Sequence, residues 1–436
     1  MDDVIAVYGL TTTSAEAMVT ILVVGALVGA LAGGPAASRL GRRPALLIAA
    51  LLALAGYGIV LAGLFELSLG FPAFLASRFL VGLGVGLSSA VTPMYVAEIA
   101  PAAQRGALVT LFQLAVSAGI LLAYLVCWSM LSGPSQSEAQ WMAVIGGGIM
   151  PAVLGLAAVI FTPESPRWLL RQGEPARARV IAARLGIQDE LETAGEAKLA
   201  QRLPFWAALR QGSTLAVLLL CGLLFVLQNL SGIDAILYYA PRIFRDLGFS
   251  GTGAALAATA GLGAINLTAT LASLKLVDRL GRRPLLLWGS VAMTGGLLLA
   301  IAAGWSGLPM LGLAGLCFFI AAFAVSLGPL PYVLLSELVP STVREAGSAA
   351  ATAISWLFNA FVAFTFLTLV EHLGNAWTFA VFASVCTLSA VVALVVLPET
   401  RGMELQQIET RVLAGCRLRD VGEAPAIILE PVDSSE

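Results

Sequence analysis

The chain has 436 residues, of which 59% are hydrophobic and 11% charged, and its mean hydropathy is +0.92. A soluble domain carries about 25% charged residues, so the composition excludes a water-soluble enzyme or nucleic-acid binder and points to an all-α protein that crosses a bilayer many times. The net charge of −2 conceals a segregation, because 21 of the 24 Lys and Arg residues lie at the ends of alternate loops.

Eleven apolar runs can each cross about 30 Å of hydrocarbon; they begin near Ala15, Pro44, Gly70, Leu108, Met142, Ser213, Gly251, Leu285, Leu308, Gly347 and Trp377. The positive-inside rule puts the basic loops in the cytoplasm, which predicts a multi-pass protein of the cell membrane with a cytoplasmic C-terminus. The expected organisation is an N-terminal bundle over 1–161, a cytoplasmic linker with short helices over 162–212, a six-helix bundle over 213–399 and a cytoplasmic tail over 400–436.

In chain order, the first basic turn runs from Ser38 to Pro44 and holds Arg42 and Arg43. Arg78 then lies within a span, where a lone arginine costs at least about 2.5 kcal/mol unless something pairs with it. Glu98 and Arg105 flank the next cytoplasmic loop, and Glu164 and Arg167 open the linker. Pro175 suits the first turn of a short helix that begins at Glu174. The run from Ser213 to Ala240 carries Gln228, Asn229, Ser231, Gly232, Asp234, Tyr238 and Tyr239. Polar groups at that depth read as the lining of a polar path, and Ser231-Gly232 is where the helix can unwind to turn Asp234 inward.

A second basic turn, Asp278 to Pro284, repeats the first 240 residues later with Arg282 and Arg283; Glu337 and Arg344 repeat Glu98 and Arg105 at 239, and Glu399 repeats Glu164 at 235. The chain is therefore two copies of one bundle. The matched carboxylates and arginines read as an ion-pair latch closing the inner ends of the halves. Carrying the offset back from 228–239 lands before Met1, so the expectation is five spans in the first copy and six in the second. Either a twelve-helix protein has lost its first helix, through an internal start or a truncated gene, or the protein has eleven spans by design. Five cysteines form no disulfide framework or metal spacing, His372 lies in an outer loop, and neither a metal or organic cofactor nor an obligate protein partner is expected.

The paired Gly-Arg-Arg turns, Pro163-Glu-Ser-Pro-Arg167, the 228–239 stretch, Gly328-Pro-Leu-Pro-Tyr332 and Pro398-Glu-Thr-Arg-Gly402 together resemble the sugar porter family of the major facilitator superfamily. That resemblance implies a sugar site between the halves, formed by Gln113, Gln228, Asn229, Asp234, Asn266, Tyr332 and Trp356. It implies alternating access, with a monosaccharide or polyol as substrate and a proton as coupling ion, for which Arg78 and Asp234 are the candidate residues. Asn229, Tyr332, Ser355 and Asp234 depart from the common family residues; Asp234 stands where glucose carriers have Asn, which keeps polyols open. A facilitative uniporter, a sugar sensor and a non-transporting remnant are the alternatives.

Overall fold

The computed structural model describes residues 12–66, 70–101, 105–131, 138–188, 212–248, 252–340, 343–403 and 405–422. All regular elements among them are helices. The first half contains α1 (Thr12–Arg39), α2 (Arg42–Glu66), α3 (Phe71–Ile99), α4 (Arg105–Leu131), α5 (Glu138–Gly146) and α6 (Ile149–Phe161). Two short helices follow, α7 (Pro166–Arg171) and α8 (Pro175–Leu185). The second half contains α9 (Gly212–Leu230), α10 (Ile233–Asp246), α11 (Thr252–Leu280), α12 (Arg282–Ser306), α13 (Pro309–Val325), α14 (Leu330–Leu338) and α15 (Arg344–Val395). A short helix, α16 (Leu405–Leu413), lies in the tail.

Ten stretches among the described residues are long and apolar enough to cross a membrane, where the sequence suggested eleven. The difference lies at the end of the chain. The runs beginning near Gly347 and Trp377 merge into α15, which is 52 residues long and whose only non-helical residue is Gly374, at φ 77° and ψ 165°. Only glycine tolerates that backbone region, and it bends the chain without an intervening loop.

Two of the stretches are broken at mid-length. Between α9 and α10, Gly232 takes a left-handed φ of 84°, and a Cβ there would strike the Phe382 ring. The Ser231 hydroxyl donates to the Gln228 carbonyl at 2.6 Å, satisfying an acceptor that the break sets free. Between α13 and α14, Pro329 and Pro331 cannot continue the ladder of backbone donors.

Small residues let the helices approach closely, the usual route to affinity between helices in lipid. On α1, Gly25 and Gly29 rest on the backbone of α3 at Phe79 and Leu83. Gly56 rests on α3 at Ser77 and Val81, and Gly296, 240 residues later, rests on α13 at Gly315 and Phe319. The internal repeat thus extends from sequence into packing. Burial is uneven, however: Gly212–Asp246 is the most enclosed stretch, whereas Leu111–Leu131 and Met142–Phe161 are largely exposed. The five cysteines are all free.

Candidate functional site

The two basic turns fold into matching networks. Gly41 and Gly281 have φ of 103° and 90°, and a Cβ at either would strike a carboxylate, Glu164 or Glu399. In the first half, Arg42 grips Glu98 with two prongs, Nε to Oε2 at 2.8 Å and Nη2 to Oε1 at 2.6 Å, while its Nη1 donates to the Ala37 carbonyl at 3.0 Å. Glu164 accepts from the backbone amides of Arg42 at 3.0 Å and Arg43 at 3.2 Å. Arg43 donates onward to the carbonyls of Val159 and Ile160. Arg171 adds a second cation 3.6 Å from Glu98.

The second half repeats the plan. Arg282 donates to Glu337 at 2.7 Å and to the Val277 carbonyl at 3.2 Å. Glu399 accepts from the amides of Arg282 and Arg283 at 3.0 and 3.1 Å, and the Arg283 guanidinium donates to the carbonyls of Ala393 and Leu394. Ser165 donates to Glu98, and Thr400 in the matching position donates to Glu337 at 2.6 Å. Each of these pairs joins elements of a single half. Arg167 is half-buried in the first turn of α7. The side chains of Arg105, Asp278 and Arg344 lie outside the described residues.

A second polar region lies at mid-depth, around the two broken helices. Gln228 is buried and its Nε2 donates to the carbonyls of Leu327 at 3.0 Å and Gly328 at 2.8 Å, the groups freed by the break before α14. Asn229, also buried, donates to the Phe225 carbonyl at 2.8 Å and to the Ser355 hydroxyl at 3.0 Å. Tyr332 meets the Phe225 ring edge-on, with centroids 4.9 Å apart. Asp234 lies four residues before Tyr238 on α10, and the Tyr238 hydroxyl donates to Asn359 Oδ1 at 3.3 Å.

Three contacts connect this region to the first half. The Trp356 indole donates to the Ser89 hydroxyl at 3.0 Å, Tyr124 donates to the Leu237 carbonyl at 2.8 Å, and Ser117 and Thr270 share a hydrogen bond of 3.1 Å. Gln113 lies one turn from Ser117 on α4, and Asn266 one turn from Thr270 on α11. Asn266 is only 5% exposed, yet its carboxamide has no hydrogen-bond partner among the described residues; that of half-buried Gln113 has none either. A carboxamide that no protein group engages offers both a donor and an acceptor to a hydroxyl. Arg78, half-buried within α3, forms no hydrogen bond or ion pair among the described residues and faces the phenols of Tyr57 and Tyr238.

Comparison with known proteins settles the family. A family model described as Sugar (and other) transporter matches residues 5–411. The chain belongs to this family of the major facilitator superfamily. It is 34% identical over 432 residues to the galactose-proton symporter of Escherichia coli, covering 95% of this chain and 89% of the relative. It is 34% identical over 414 residues to the D-xylose-proton symporter of the same organism, covering 88% of this chain and 84% of the relative. A solved structure of the proton:xylose symporter XylE bound to 6-bromo-6-deoxy-D-glucose superposes with a TM-score of 0.79 at 32% identity, covering 92% of this chain and 90% of that one. XylE from E. coli in a partially occluded inward-open conformation gives 0.76 at 31%, covering 91% and 90%. The sugar transporter is thus a polytopic α-helical protein of two bundles and not a member of an enzyme family.

The sequence did not single out Asn359, Tyr124, Ser89 or the Ser117–Thr270 pair. A signal existed for Asn359, a lone amide in an apolar run, four residues after Ser355 and three after Trp356, and so on their helix face. The other contacts depend on which helices meet, and periodicity alone does not reveal that.

Proposed function

We propose that this chain is a secondary active transporter that carries a monosaccharide or polyol together with a proton. Its binding site is formed by Gln113, Gln228, Asn229, Asp234, Asn266, Tyr332 and Trp356. The observation that carries the reading is Asn266, a residue only 5% exposed whose carboxamide is hydrogen-bonded to no described residue, while the amides of Gln228 and Asn229 are engaged. A sugar hydroxyl can donate to such a group and accept from it, and the Trp356 indole offers an apolar face for a pyranose ring. The proton-symporter names of the relatives support coupling. Asp234 and Arg78, the ionisable groups at membrane depth in this region, are the coupling candidates.

The halves rock about this site in alternating access, and the clasps at Arg42 and Arg282 hold the cytoplasmic ends of their bundles rigid while the inner side closes. This arrangement has eleven crossings, the last two meeting at Gly374, and faces the basic turns and the tail into the cytoplasm. The boundaries of the two bundles, the linker and the tail are those read from the sequence.

The test is uptake by the full chain in proteoliposomes with an imposed inward proton gradient, using radiolabelled D-galactose, D-xylose, L-arabinose and sorbitol. Accumulation of at least one solute above its external concentration, abolished by a protonophore, is expected. Equilibration that ignores the protonophore would make the chain a facilitator, and uptake no greater than by empty liposomes, for all four solutes, would refute transport.

A further inference from the structure

At the end of the second half opposite the basic turns, the C-termini of α10 and α12 and the bend of α15 enclose a cavity of about 280 Å³. Its depth is apolar, with Ala300 and Phe379 each 1% exposed, and its wall also holds Asp246, Asn375 and the Trp305 indole, a residue 78% exposed. Asp246 lies twelve residues beyond Asp234 on α10, about 18 Å along a helix axis, so this cavity is separate from the mid-depth region. Its size is at the small end of ligand pockets, about 300–1,000 Å³. A Cβ on Gly304, which lines it, would meet no atom within 4 Å.

The polar groups of this wall are short of donors. Asn375 Nδ2 donates to Asp246 Oδ2 at 3.3 Å. That bond fixes the sense of the amide, because the reversed amide would set its oxygen against the carboxylate. Asn375 Oδ1 is then enclosed and accepts nothing from the described residues. Asp246 forms no ion pair with a described Lys or Arg, although Arg242 and Arg245 lie on the same helix. Two helices, α10 and α12, bring their partly negative carbonyl ends here, against the one N-terminal end of the α15 segment that follows Gly374. A metal ion calls for more ligands than one carboxylate, and no group of three or more His, Cys, Asp or Glu side chains suited to a metal occurs among the described residues. A protonated amine fits: it brings three donors and one positive charge, and an indole beside it holds a cation without neutralising it.

We propose that this cavity binds a primary ammonium group, with Asp246 as its counter-charge, Asn375 holding the carboxylate in place and Trp305 covering the cation. The ammonium belongs either to a free amine or to the headgroup of an aminophospholipid, since an exposed tryptophan at the end of a span sits at the level of lipid headgroups. The occupant bridges α10, α12 and α15 within one bundle. The proposal uses no mid-depth residue and does not rest on the transport reading.

The experiment is equilibrium dialysis of radiolabelled ethanolamine against the full chain in lipid-free detergent at about pH 7, where an alkyl amine is charged, with ethylene glycol as a neutral competitor of similar size. Saturable binding that ethylene glycol does not displace is expected. Asp246→Asn, which keeps the shape and removes the charge, is expected to weaken binding at least about tenfold. Gly304→Leu, which fills the cavity, is expected to abolish it, and Trp305→Ala to weaken it about threefold. In a second arm the chain is reconstituted in vesicles of equal phosphatidylethanolamine and phosphatidylglycerol, and the lipid that stays with it after extraction is counted. An excess of phosphatidylethanolamine on the wild type but not on Asp246→Asn assigns the ammonium to a lipid headgroup; ethanolamine binding without that excess assigns it to a free amine. Neither ethanolamine binding nor a phosphatidylethanolamine excess would overturn the proposal, as would displacement by ethylene glycol or wild-type binding in both Asp246→Asn and Gly304→Leu. If a variant does not fold, the competition on the wild type decides alone. Sugar uptake enters none of these outcomes, so their failure leaves the transport reading standing.

Discussion

The basic turns and the mid-depth region use the same kinds of polar side chain to opposite ends. At the turns, Glu98 and Glu164 accept from Arg42, Arg43 and Ser165, and Arg42 is itself wholly buried. At mid-depth, Asn266 and Gln113 have no side-chain hydrogen-bond partner among the described residues, and Arg78 faces the phenols of Tyr57 and Tyr238. Polar groups that engage one another specify a rigid structure, and amides that no protein group engages are open to a ligand. The comparison separates groups that hold the bundles together from groups left open to a ligand.

Breaking the clasps should cost the most. Arg42→Ala leaves Glu98 buried without its bidentate partner and is expected to destabilise the protein by about 3–5 kcal/mol, read as a lowered unfolding temperature in detergent. The second-half twin is less deeply set, with Arg282 and Glu337 side chains 12% and 16% exposed. Arg282→Ala is therefore expected to cost less, about 1–3 kcal/mol, and an equal or larger loss would undo the ranking of the two clasps.

At mid-depth the effect should move from stability to binding. Asn266→Ala removes no hydrogen bond to a described residue, so the unfolding temperature should hold while sugar affinity falls about tenfold to a hundredfold, roughly 1–3 kcal/mol. The smallest effect sharpens the contrast. Ser165 caps α7 through the Trp168 amide at 3.2 Å besides donating to Glu98. Ser165→Ala is expected to cost about 1 kcal/mol of stability and to leave sugar affinity unchanged.

Much of this architecture was legible in the sequence because the chain states it twice. The Gly-Arg-Arg turns and their carboxylates recur at nearly one offset, so the two networks could be anticipated as a pair, and Ser231-Gly232 marked the break that Gly232 makes at φ 84°. What the repeat could not reveal was direction. The clasps close within each half, because the turn at Gly41 aims Arg42 back at its own α3, whereas the spacing suggested pairs between halves. Nor could it show that the amide of Gln228 would be drawn to Leu327 and Gly328, which requires two helix breaks to face each other across 99 and 100 residues. The contacts between halves, Trp356 with Ser89 above all, join residues 267 apart and have no local signature.

The central claim is that the unpartnered amides at mid-depth exist for a sugar. Equilibrium binding of the labelled sugars to purified wild type, Gln113→Ala and Asn266→Ala tests it most directly, with unfolding temperatures taken on the same samples. The account predicts that the wild type binds at least one of them, that both variants bind it at least about tenfold more weakly, and that all three unfold together. Wild-type affinity in both variants would contradict it.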